Sequence, residues 1–139
     1  MTQEDKELLL IKDLCSRLPY GVKVESIFIN PDTKEHKLCG IEIFDATSLL
    51  MVRDKIGEFK PYLFPLSSMT GEQLYELREM FGFEIEFRDG LIEVSTFHHN
   101  SLGYLEMDAM FEWFNRNHFD YRGLIEKGLA IDATNLNIY

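Results

Sequence analysis

A chain of 139 residues, 45% apolar and 13% aromatic, holds enough material to bury a self-supporting core without metal or disulfide, which excludes a disordered chain. Its net charge of −10 is uneven: residues 1–69 carry nine Lys/Arg against eleven Asp/Glu, and residues 70–139 carry five against thirteen. Carboxylates in such excess argue against direct nucleic-acid binding by the second half, and suit solubility, a basic protein partner or mimicry of nucleic acid.

The opening, MTQEDKELLL, is acidic where a secretory signal needs a basic start, and no eighteen-residue apolar run follows, so a cytoplasmic chain with no membrane partner is expected. Thr2 with Asp5 predicts a capped first helix, along which Leu8, Ile11, Leu14, Cys15 and Leu18 form one stripe before Pro19-Tyr20-Gly21 stops it. Cys15 and Cys39 have no zinc-type spacing and are expected as reduced, half-buried thiols.

From Gly21 the period changes to two. Val22, Val24, Ile27 and Ile29 run up to a turn at Asn30-Pro31-Asp32, and Leu38 to Phe44 returns, with Gly40 marking a bulge or a close approach. Leu49 to Val52 is continuously apolar and reads as a third strand, and Glu58 to Pro65 as an edge strand because of Pro61 and Pro65. Thr70 and Gln73 form a capping box, with Met69 and Leu74 as its hydrophobic staple, so a helix starts at Gly71; Gly82 ends it. Phe83 to Arg88 and Leu91 to Phe97 alternate around Asp89-Gly90 as a hairpin, with Glu93 set against Glu84 or Glu86.

A helix over roughly 102–116 carries a wide stripe of Tyr104, Met107, Phe111 and Phe114 with Leu105, Ala109 and Trp113, and Asn117 is expected in its left-handed end position. Asp120 then reads as the N-cap of a short helix over 121–127, closed at Gly128 by a Schellman-type cap, before a last short strand at Leu129 to Ile131.

The segments YGVKVE, KPYLFPLSSMT and NRNHFDYRGLIEKGLAID resemble a group of small acidic proteins of gut Bacteroidetes, often found in prophage or mobile-element neighbourhoods. The likeness covers about a third of the chain and leaves out the hairpin from Phe83 to Phe97. It implies a cytoplasmic bacterial accessory protein of mobile-element type and supplies no catalytic residues.

Three constellations invite chemistry. His118, Asp120 and Arg122 form an H-x-D-x-R array, which fits a general acid, an orienting carboxylate and an anion clamp of a small hydrolase. The structural alternative has Asp120 capping a helix, Arg122 paired with Asp120 or another nearby acid, and His118 at the preceding helix end, where its cation is favoured. His98-His99 with Glu93, Glu106 or Asp108 would suit a divalent metal, but adjacent histidines on extended backbone point opposite ways, and no metal or other cofactor is expected. The third is aromatic: Trp113 and Tyr121 beside Arg122 have the composition of a protein-binding hot spot if they share a surface, with Glu106, Asp108, Glu112 and Glu126 as an acidic rim for a basic partner.

The expected architecture is α+β in one domain, 1–139: an N-terminal helix, a small antiparallel SH3-like or curled sheet, then a helix, a β-hairpin and two C-terminal helices, with lobes at 1–69 and 70–139. No Walker loop, GxGxxG, nucleophile elbow or CxxC is present. The expected function is a non-enzymatic interaction or accessory protein, and the alternative is an acidic nucleic-acid mimic that blocks a DNA-binding protein.

Overall fold

A computed structural model describes residues 1–81, 83–88, 91–96 and 104–139, the side chains of 81–107 aside. The fold is α+β, and its first element is helix α1, Gln3–Arg17. The expected cap is present: Asp5 N–H donates to Thr2 Oγ1 at 3.1 Å and Thr2 N–H donates to the Asp5 carboxylate at 3.0 Å; the Thr2 hydroxyl, 2.8 Å from that carboxylate, and then the Thr2 N–H hold the Asp5 pKa below its usual range.

Strands β1, Lys23–Ile29, and β2, His36–Ile43, pair antiparallel. Their register slips where it was expected to: Ser26 faces Gly40 but Ile27 faces Leu38, so Cys39 is an extra residue and Gly40 turns to φ +83°. Residues 49–52 are not a strand. They belong to helix α2, Ala46–Arg53, because Asp45 and Ser48 cap it reciprocally: Ser48 N–H donates to Asp45 Oδ1 at 3.0 Å and Asp45 N–H to Ser48 Oγ at 3.3 Å. A four-residue apolar run has no readable period, so the cap decides its conformation.

Strand β3, Gly57–Pro65, is an interior strand, contrary to the edge placement its prolines suggested. Residues 57–61 pair antiparallel with β1, while Tyr62 to Pro65 pair in parallel with two short strands, β6 (Phe119–Asp120) and β7 (Ile131–Asp132). Pro61 and Pro65 thus stand at the ends of ladders, where a missing N–H costs least. Among the described residues the sheet is mixed and open, in the order β2-β1-β3-β6 with β7 also on β3, so neither a purely antiparallel sheet nor a closed barrel forms there and β2 is a free edge.

Helix α3, Gly71–Phe81, begins with the expected box: Gln73 N–H donates to Thr70 Oγ1 at 3.2 Å and Thr70 N–H to Gln73 Oε1 at 2.9 Å. Strands β4, Phe83–Arg88, and β5, Leu91–Thr96, form the hairpin, with Glu86 opposite Glu93. The expected roles of Gly82, Asp89-Gly90 and His98-His99 fall outside the described residues. Helix α4, Tyr104–Arg116, follows.

Two apolar clusters hold these parts together. Leu14, Val22, Val24, Phe44, Phe59 and Leu63 gather under the sheet with Leu124 and Ala130 from the far end of the chain. Leu66, Leu77, Met110, Trp113, Phe114 and Phe119 form the second. Each fully buried large side chain contributes roughly 1.5–3 kcal/mol relative to exposure.

Candidate functional site

The second C-terminal helix is absent, and turns occupy residues 121–128. Its punctuation is nevertheless in use. The Asp120 carboxylate accepts from Leu124 N–H at 2.8 Å and Ile125 N–H at 2.9 Å, as a cap would. At the other end Gly128, at φ +72°, donates to Ile125 O while Leu129 N–H reaches Leu124 O at 2.9 Å, the paired bonds of a Schellman motif. A single turn between two strong caps leaves no room for helix propagation. Asn117 does not take the left-handed position ending α4; His118 does, at φ +62°.

The array His118, Asp120 and Arg122 does not converge. Each side chain goes to a different place. Asp120 is spent on the turn. Arg122 pairs with neither Asp120 nor any acid near it in sequence: its Nη1 donates to Asp13 Oδ1 at 2.7 Å and its Nη2 to Ser16 Oγ at 3.1 Å, both on α1. The His118 ring stacks on Tyr139 with centroids 3.7 Å apart, while its carbonyl accepts from Phe64 N–H at 2.8 Å. Three diverging side chains cannot share a substrate atom.

His118 is not a stabilised cation either. Burial, with the positive charges of Arg17 and Lys23 adding to it, pushes its pKa down to about 4. The folded ring is therefore neutral where the unfolded one, with its ordinary value near 6.5, binds a proton. A depressed basic group releases its proton on folding, so stability is full above pH 6.5 and falls as pH drops toward 4. Because the ring stays partly exposed, the loss across that window is expected to be about 1–2 kcal/mol. His118→Asn, which tolerates the left-handed backbone, should flatten that part of a denaturant-derived stability profile; equal slopes in both proteins would refute it.

What Arg122 joins is a buried ionic cluster that periodicity concealed. Asp13 and Arg17 are fully buried on the inner face of α1, at the positions a Leu10, Leu14 stripe would continue. Arg17 Nε donates to Asp13 Oδ2 at 2.8 Å, and its Nη2 to Asp13 Oδ1 at 3.1 Å and Phe119 O at 2.6 Å. Tyr121 lies against both cations, with its ring centroid 5.4 Å from Arg17 Cζ and 4.6 Å from Arg122 Cζ, and its hydroxyl donates to Asn115 Oδ1. The available signal was the i,i+4 pairing of opposite charges on an otherwise apolar face. The cluster fastens α1 to the turn after β6.

The aromatic surface does not assemble. Trp113 is 2% exposed, stacked on Phe119 with centroids 5.7 Å apart and met edge-on by Phe114, so it is core and shares no surface with Arg122. Tyr121 is half-buried against Phe111 and Phe114. Of the rim, Asp108, Glu112 and Glu126 are exposed, and Glu112 accepts from the Tyr20 hydroxyl at 2.7 Å.

Exposed apolar surface lies instead on the sheet. The β1–β2 register places His36, Leu38, Ile41 and Ile43 opposite Ile29, Ile27, Glu25 and Lys23, on the face away from the core. Leu38 is 66% exposed, Ile41 55% and Ile43 57%. A shallow groove of about 490 Å³ runs beside Ile41 and Ile43, lined also by Lys23, Glu42, Leu136, Asn137 and Ile138. Both cysteines are free and exposed rather than half-buried. Among the described residues no His, Cys, Asp and Glu side chains gather as a metal site, and no helix is long and apolar enough to cross a membrane. No protein-family model matches the chain, and comparison with curated proteins and with solved structures found no match.

Proposed function

We propose that this protein is a non-enzymatic cytoplasmic interaction or accessory factor, of the bacterial prophage or mobile-element type, that binds a protein partner on the outer face of β1 and β2. One observation carries the reading: Leu38, Ile41 and Ile43 form a contiguous exposed apolar stripe next to a shallow groove. Large aliphatic side chains kept together in water mark a surface that another molecule covers. The partner is a protein with a complementary apolar strip, and the acidity of residues 70–139 favours a basic one by long-range attraction.

The test is capture from host extract by the intact protein and by an Ile41→Lys, Ile43→Lys variant, at low and high salt. A specific protein retained at high salt and reduced more than about tenfold by the variant is the expected result, since each apolar anchor is worth about 1–3 kcal/mol. Equal capture by both proteins refutes the reading. Capture that collapses with salt and ignores the variant points to acidic mimicry instead.

A further inference from the structure

We propose that the protein is a two-fold dimer built by antiparallel pairing of β2 with β2 of a second copy, which joins two five-stranded sheets into one. The inference rests on the reading of the β2 face as a binding surface, and names what completes it.

Strand β2 hydrogen-bonds only to β1 among the described residues, and apart from Gly40 every residue from His36 to Ile43 is exposed. Alternate residues of this eight-residue strand therefore turn unpaired N–H and C=O groups to the free edge, a template for another strand.

The side chains restrict which strand fits. Directly opposite residues in an antiparallel pair lie on the same face of the sheet. About a two-fold axis normal to the sheet, a regular strand cannot set residue 38 opposite residue 41, because residues three apart point to opposite faces. The bulge removes that obstacle. With Cys39 as the extra residue, His36, Leu38, Ile41 and Ile43 share the outer face, while Lys37 and Glu42, opposite Phe28 and Val24, share the inner one.

Centred between Cys39 and Gly40, the self-pairing sets Leu38 against Ile41 of the second copy, His36 against Ile43, and Lys37 against Glu42. Apolar meets apolar on one face and opposite charges meet on the other, twice per dimer. Centring on Lys37 or on Glu42 would instead set like charges face to face, which is destabilising. Pairing in the favoured register also brings both copies of the Leu38, Ile41 and Ile43 stripe together on the outer face.

A second consequence is geometric. Strands about 4.8 Å apart, with a one-residue offset across the axis, place the two Cys39 Cα atoms roughly 6 Å apart. That lies within the roughly 4.4–6.8 Å a disulfide spans.

The test combines sedimentation velocity, from micromolar to millimolar loading, with oxidation by diamide in a Cys15→Ser background. A monomer–dimer equilibrium is expected. Lys37→Glu and Glu42→Lys should each weaken it about tenfold, because two cross-strand pairs per dimer become like-charged, and the double variant should regain the wild-type constant. Diamide should give a covalent dimer through Cys39, lost in the Glu42→Lys variant. A chain monomeric throughout, a dimer indifferent to the charge variants, or a dimer that leaves Cys39 uncoupled would each overturn the proposal. A monomer that still loses its partner with Ile41→Lys, Ile43→Lys sinks the dimer alone; a dimer whose partner capture ignores that variant sinks the partner reading alone.

Discussion

Asp13→Asn is expected to destabilise the protein by about 3–5 kcal/mol, the loss found when one member of a buried ion pair is removed and its partner stays behind. Arg17 would keep a guanidinium that is fully buried with no counter-charge, its acceptors reduced to Phe119 O and one amide oxygen, and its Nη1 already has no hydrogen-bond partner among the described residues. Arg122 would lose its ion pair at the 2.7 Å contact as well, but it reaches solvent and can be rehydrated. Arg122→Ala should therefore cost less, about 1–2 kcal/mol. Urea unfolding of the two single variants and the double variant gives the coupling directly. If Asp13→Asn costs no more than Arg122→Ala, the cluster is not what secures α1 to the C-terminal turn. A domain of this size typically has only about 5–15 kcal/mol of stability, so the Asp13 variant is expected near the limit of folding at 37 °C.

Trp113→Ala should cost a comparable amount, about 3–5 kcal/mol, from lost transfer free energy and the cavity left between Phe114 and Phe119. Trp113→Phe should cost much less. It keeps most of the ring contact with Phe119 and deletes an indole N–H that is buried without an acceptor among the described residues. Thermal unfolding monitored by circular dichroism separates the two. A surface hot spot would behave oppositely, with both variants leaving the melting temperature unchanged and weakening partner capture. That result would return Trp113 to the interface from which its 2% exposure removes it.

Much of the fold was legible where structure is decided by neighbours in sequence. The boxes at Thr2/Asp5 and Thr70/Gln73 and the Schellman end at Gly128 each depend on contacts a few residues long, the bulge at Gly40 on the freedom of a glycine in a neighbouring strand, and each is present. The failures are competitions between local readings, settled in one case by a cap a few residues away and in others by distant partners. Leu49 to Val52 suited a buried strand until the Asp45 and Ser48 cap made it helical. The β6 and β7 strands, two residues each, exist because β3 runs on past its β1 ladder over residues 62–65.

The candidate site was less legible than the fold. His118, Asp120 and Arg122 were visible as unusual residues, but spacing says nothing about where side chains end. Asp13 and Arg17 were passed over because Leu8, Ile11 and Cys15 offered an equally regular stripe; Leu8 and Cys15 turned out exposed. The exposed stripe on β2 was read as alternation, and alternation identifies two faces without saying which one is covered.

The sequence by itself determined the α+β class, the capped starts of α1 and α3, the hairpin strands and the concentration of acid in residues 70–139, because propensity, capping and charge are properties of short stretches. Tertiary structure alone decided that Arg122 would cross 109 residues to Asp13, that Trp113 would be core, and that β2 would be left as a free edge. Those outcomes depend on which surfaces meet once the chain has collapsed, and burial is a property of the meeting rather than of either surface.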